Sequence, residues 1–312
     1  MIFRIFYLLS FALIFSSCHG QQTVKTEKED TTPRTFEMVS VPSMITDPGE
    51  RAKYLVEHYW DKFDFSDTTY VHLPEITEQA VSNYIDLMQY VTPPVASSSI
   101  KSMMHRATTD STMFAHMADL YEKYLYDPNS PMRDESLYIN VLEAIIAAPV
   151  FDDANKIRPA HLLELALKNR IGESATDFTY TLANGQTGTL YNVKADYLVL
   201  FFYNPDCHAC KEITGQLENS PIINSLQANK TLKILAVYPD EDLEAWKNHL
   251  PDVPSSWINS YDSSVRLKND EVYDLKAIPT IYLLNKDKKV ILKDVTFNQL
   301  ESFLQMQTNY MQ

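Results

Sequence analysis

Apolar positions along this chain follow two different periods, and the change from one to the other falls near residue 170. Before it they recur at helical spacing. Met113, Met117, Leu120, Tyr121, Tyr124 and Leu125 share one face, with Asp119, Glu122 and Lys123 opposite, which predicts an amphipathic helix of about four turns. Comparable stripes run over residues 51–63, 75–91, 135–148 and 161–168, with breaks at Pro93-Pro94 and at Asp127-Pro128-Asn129-Ser130-Pro131. They predict a bundle of about five or six helices over residues 49–170.

From Ile171 onward short β-rich runs alternate with helical ones. Residues 178–182 and 188–191 flank Asn184-Gly185, a hairpin signal, because both central positions of a tight turn favour positive φ. Residues 197–203 read Tyr-Leu-Val-Leu-Phe-Phe-Tyr. This run is too short for an independent helix and too apolar for an edge strand, so it predicts a central, fully buried strand. Further strands are expected at 233–238, 280–284 and 290–293. Helices are expected from the end of Asn204-Pro205-Asp206-Cys207-His208-Ala209-Cys210 to about Ala228, and at 242–249, 263–272 and 298–307.

The first residues follow neither pattern. Arg4 is followed by an apolar run over residues 5–15 and then Ser16-Ser17-Cys18. The run falls well short of the ~20 residues that a membrane-spanning helix needs, so residues 1–17 read as a signal peptide. Two small residues before a cysteine resemble the site at which bacterial export machinery attaches lipid to the thiol and cleaves in front of it. Phe15 stands where leucine is usual, and an ordinary signal peptide with an incidental cysteine is the competing reading. Lipidation of Cys18 would tether the protein to a membrane without spanning it. Residues 18–48, rich in Gln, Thr, Lys, Glu and Pro, are expected to be a flexible tether. The expected location is therefore the cell envelope, with the chain exported and facing the periplasm.

Composition narrows the function. The chain has 312 residues, 45% of them hydrophobic, enough for a sizeable core and two domains. A net charge of −14 with no basic cluster argues against nucleic acid as a partner. His58, His72, His105, His116 and His161 are scattered without metal-ligand spacing, and no metal is expected. The methionine and tyrosine stripe suits core packing better than a partner groove.

Of three cysteines, lipidation would consume Cys18, leaving Cys207 and Cys210 as the pair in the folded body. In an oxidising compartment, two thiols at this spacing and no others point to chemistry. At the N-terminus of a helix, free backbone N–H groups and the helix dipole favour a thiolate on Cys207. Cys210, one turn along and more buried, stays a thiol until it is needed. Cys207 then attacks a substrate disulfide, and Cys210 resolves the mixed disulfide and leaves a Cys207–Cys210 bond. No cofactor beyond that disulfide is required. His208, when protonated, stabilises the thiolate and Asp206 opposes it; the sequence leaves that balance open. A two-cysteine zinc site would need two more ligands. Haem attachment would need histidine where Lys211 stands. A peroxide-reducing enzyme would want Thr and Pro before a lone cysteine, which Asn204-Pro205-Asp206-Cys207 matches only in part.

Ile171-Gly172-Glu173-Ser174-Ala175-Thr176-Asp177-Phe178, the strand and motif from Leu198 to Cys210, and Ala277-Ile278-Pro279-Thr280 together resemble the TlpA/ResA-type thioredoxin-like proteins, in order over residues 171–312. The resemblance implies an α/β thioredoxin-like fold, a central mixed sheet flanked by helices, behind the mostly α-helical domain. It implies a cis peptide bond before Pro279, with Ile278 facing Cys207 and both offering backbone to the substrate chain. It also implies a protein-disulfide reductase acting on exported protein thiols, with electrons drawn from a membrane partner; oxidation or isomerisation remains the other direction. Two departures count. The family often carries Glu three places after the second cysteine, where this chain has Ile213 beside Glu212, and the central strand has no buried carboxylate. A rival reading makes the helical domain a protein- or glycan-binding module, with the other half as scaffold or redox-regulated clamp.

Overall fold

Aspartates and prolines set where the first helices begin. The computed structural model describes residues 34–310; the expected leader, Cys18 and the first part of the expected tether lie outside the described residues. Six α-helices follow among the described residues: α1 Pro48–His58, α2 Pro74–Leu87, α3 Pro93–Ala107, α4 Ser111–Tyr121, α5 Glu135–Ala147 and α6 Asp153–Leu167. Asp47, Asp110, Asp134 and Asp152 each accept a backbone N–H of the first turn of α1, α4, α5 and α6. The break expected at Pro93-Pro94 falls just before α3, and the two prolines themselves form its first turn, which has no use for the N–H that proline lacks. α6 likewise starts at Asp153, earlier than expected, and carries Pro159 within it.

The α4 stripe is core. Met113, Met117, Tyr121 and Leu125 are fully buried, and a π-helical turn at Glu122–Tyr126, closed by Asp127 N–H on Glu122 O at 3.1 Å, carries the stripe onward. An aromatic cluster of Tyr59, Trp60, Phe63, Phe65 and Tyr84 belongs to the same core. Phe36 stacks on Tyr59 with ring centroids 4.9 Å apart and meets Trp60 edge-on at 5.4 Å. Within the segment expected as tether, Phe36 is therefore half-buried against this cluster, while most of residues 37–48 stay exposed.

Seven strands form one mixed sheet: β1 Thr179–Leu182, β2 Thr187–Thr189, β3 Tyr197–Phe202, β4 Leu232–Tyr238, β5 Ile258–Tyr261, β6 Thr280–Asn285 and β7 Val290–Leu292, in the order β2-β1-β5-β4-β3-β6-β7. Gly185 takes φ 82° in the β1–β2 hairpin turn. β3 lies parallel to β4 and antiparallel to β6. Its side chains alternate: Val199 and Phe201 enter one core with Leu217, Ile223, Leu300 and Leu304, while Leu198, Leu200 and Phe202 enter the other with Tyr273 and Tyr282. Around the sheet lie α7 His208–Asn219, α8 Pro221–Ala228, α9 Leu243–Asn248, α10 Arg266–Asn269 and α11 Phe297–Tyr310. The single helix expected after the cysteines is two, divided at Ser220-Pro221, where Ser220 caps α8. The helix expected over 263–272 is only the short α10.

β5 was not expected, because its one fully buried position is Ser260 and its neighbour is Asn259. Ser260 donates to Ala236 O at 3.0 Å, and Asn259 accepts from Tyr203 and Trp246. From Phe36 on, the chain is one compact unit. No helix among the described residues is long and apolar enough to cross a membrane.

Candidate active site

The C-terminal end of β3 delivers Tyr203 and Asn204 to the start of α7, and the turn between them is built by Asn204. Its carboxamide oxygen accepts Asp206 N–H at 3.0 Å, its NH2 donates to Asp240 at 3.0 Å, and its carbonyl accepts Cys207 N–H at 3.1 Å. Lys268 holds Asp240 from the far side at 2.8 Å. Cys207 is thereby set as the N-cap residue of α7, and its sulfur accepts Cys210 N–H at 3.2 Å. The helix end thus points a backbone donor and its positive pole at that sulfur.

Both cysteines are free thiols. Cys207 is half-buried and donates its S–H to Ile278 O across 3.6 Å, so the structure brings Ile278 onto Cys207. The Ile278–Pro279 peptide bond is cis. Cys210 is 2% exposed, and Asn204 N–H donates to its sulfur at 3.5 Å. Burial pushes the Cys210 thiol up, against the smaller opposing pull of the Asn204 N–H. Beneath lies a closed polar network: Tyr203 donates to Asn259 at 2.7 Å and accepts from Trp246 Nε1 at 3.0 Å. Burial carries the Tyr203 phenol up to about 12.

The two residues expected to tune the pair sit outside it. His208 has its side chain 87% exposed and 3.6 Å from Glu212. Asp206 is also solvent-facing and lies 3.9 Å from His249 Nε2. His249, which the sequence did not single out, donates its Nδ1–H to Ala245 O at 2.8 Å. It lines, with Cys210, Tyr203 and Lys211, a cavity of about 420 Å³ beside the sulfurs. Asp240 and His249 carry no spacing signal relative to the cysteines; Asp240 follows β4, whose parallel pairing with β3 carries it to Asn204. Among the described residues no group of three or more His, Cys, Asp or Glu is placed to hold a metal ion.

Comparison with known proteins divides the chain in two. Residues 17–169 match a domain of unknown function (DUF5106), and residues 195–290 match the family described as thioredoxin-like. A thioredoxin-like protein from Bacteroides caccae is 50% identical, with a TM-score of 0.86 over 88% of this chain and 99% of that one. The C-terminal domain of an uncharacterized protein from Bacteroides fragilis is also 50% identical, over 44% of this chain and 98% of that one, with a TM-score of 0.43. The thioredoxin domain of a thiol-disulfide oxidoreductase from Bacteroides vulgatus is 22% identical, over 44% of this chain and 96% of that one, with a TM-score of 0.40. No curated protein is significantly similar to the chain.

Proposed function

The chain belongs to the thioredoxin-like family, and from that premise we propose that it is a thiol–disulfide oxidoreductase working through Cys207 and Cys210, with reduction of exported protein disulfides as its direction. The observation that carries this reading is the pair itself: a half-buried sulfur capping a helix, with a buried thiol one turn behind it. The Cys207 thiolate attacks one sulfur of a substrate disulfide and expels the other as a thiolate. Cys210 then gives up its proton to water entering the neighbouring cavity and attacks the Cys207 sulfur, expelling the second substrate sulfur as a thiolate that takes a proton from water. Two electrons have left the pair, which ends as a Cys207–Cys210 disulfide. A dithiol donor restores it, and a membrane-bound reductase partner fits the envelope location.

Ile278 and Pro279 border the sulfur that reacts, and substrate backbone docks along them. Lipid attachment at Cys18, after removal of residues 1–17, holds the enzyme at the membrane facing the periplasm. His208 and Asp206 tune the exchange from the rim, weakly, because both face solvent, where charges are screened. The stripe that suggested a binding groove in the helical domain is interior packing, so the redox reading is preferred to a ligand-capture role for that domain.

Insulin reduction tests the proposal, with dithiothreitol as electron donor and the whole chain as catalyst. The expected outcome is turnover above the uncatalysed rate that disappears in Cys207→Ala. Equal rates for the two proteins would remove the activity from the pair.

A further inference from the structure

The loop that presents Ile278 and Pro279 is fastened from behind by the helical domain. At its near end Lys276 is 11% exposed and reaches two carboxylates, Asp274 and Asp294, both at 3.1 Å. Its ammonium also lies 5.0 Å from the centroid of the Tyr126 ring, in the π-helical turn that ends the α4 stripe. Asp294 is shared: Arg133 approaches its carboxylate at 3.5 Å and donates to its carbonyl at 2.6 Å. Beside it, Lys293 pairs with Glu135 at 2.7 Å and donates to the carbonyls of Ala166 and Lys168. At the far end, Asn169 donates to Val272 O at 2.9 Å and Lys168 to Glu271 O at 3.1 Å.

These are buried ions, and that decides their effect. An exposed pair contributes little. A buried one fixes geometry, because any movement that separates the charges leaves each of them uncompensated in a poorly solvated seam. Lys276 stands two residues before Ile278, about 7 Å of chain at most. The Ile278 carbonyl is the group that meets Cys207 Sγ. A shift of Lys276 therefore moves the acceptor facing the reactive sulfur, and with it the balance between dithiol and disulfide.

We infer that Lys276 is a positioning residue for the redox pair, held by Asp274, Asp294 and the helical domain's Tyr126, so that the helical domain helps to set the reduction potential of Cys207 and Cys210. The inference rests on the pair being redox-active, as proposed above.

The test is the equilibrium constant of the whole chain against glutathione buffers, read by thiol alkylation and mass. Lys276→Met removes the charge. Tyr126→Leu removes only a half-buried ring and leaves every ion pair in place, so it serves if the first variant folds poorly. Both are expected to shift the constant by about threefold or more, in the same direction. Lys276→Arg restores most of the wild-type value. A wild-type chain that equilibrates normally while both variants match it overturns this inference alone. A wild-type chain that never equilibrates overturns the redox reading and this inference with it.

Discussion

Burial separates two chemically identical side chains. Cys210 is enclosed by Tyr203, Asn204 and the first turn of α7, and its thiol is held well above the ordinary value, whereas Cys207 borders solvent and the Ile278 carbonyl. A raised folded value has a definite sign. The stability it contributes is complete below the unfolded-chain value of about 8.5 and is lost as pH rises above it, because the unfolded chain then ionises a thiol that the fold keeps neutral. The reduced protein should lose about 1 kcal/mol more of stability between about pH 8 and 9.5 than Cys210→Ala does over the same interval. Urea denaturation at several pH values measures this, and parallel slopes for the two proteins would contradict it.

At the scale of elements, periodicity was the reliable guide and polar burial the blind spot. The α4 stripe lies in the core at Met113, Met117 and Tyr121, and Met117→Ala is expected to cost about 2–5 kcal/mol in thermal or urea denaturation. β3, β4, β6 and the β1–β2 hairpin were legible because unbroken apolar runs and Asn184-Gly185 have few alternative uses. β5 was illegible for the opposite reason: half-buried Asn259 and buried Ser260 are satisfied by hydrogen bonds to other segments, and no hydropathy pattern records a partner. Pro93-Pro94 shows the ambiguity of proline, which ends one helix and starts the next equally well. At the site, the Cys-x-x-Cys spacing could be read directly, and Pro279 was legible through the family resemblance. The Asn204–Asp240 brace and the approach of His249 depend on tertiary pairing and left no local trace.

Across the whole molecule, the seam between the helical domain and the sheet is polar, and its ions are shared by segments distant in sequence. Asp294 serves both Arg133 and Lys276. Removing its charge leaves Lys276 with Asp274 alone and takes from Arg133 its carboxylate partner, so Asp294→Asn should destabilise the protein by about 1–3 kcal/mol, read by urea denaturation. A loss within 0.5 kcal/mol, the usual range for surface changes, would show that the seam adds nothing. The central claim remains the division of labour between the two sulfurs, and a trapped intermediate tests it most directly. Cys210→Ala, reduced, freed of reductant and offered a disulfide-bonded protein, is expected to accumulate one covalent adduct on Cys207, found by mass and released by dithiothreitol. A Cys210→Ala protein that stays folded and forms no adduct, under conditions where the wild type oxidises, would contradict the account.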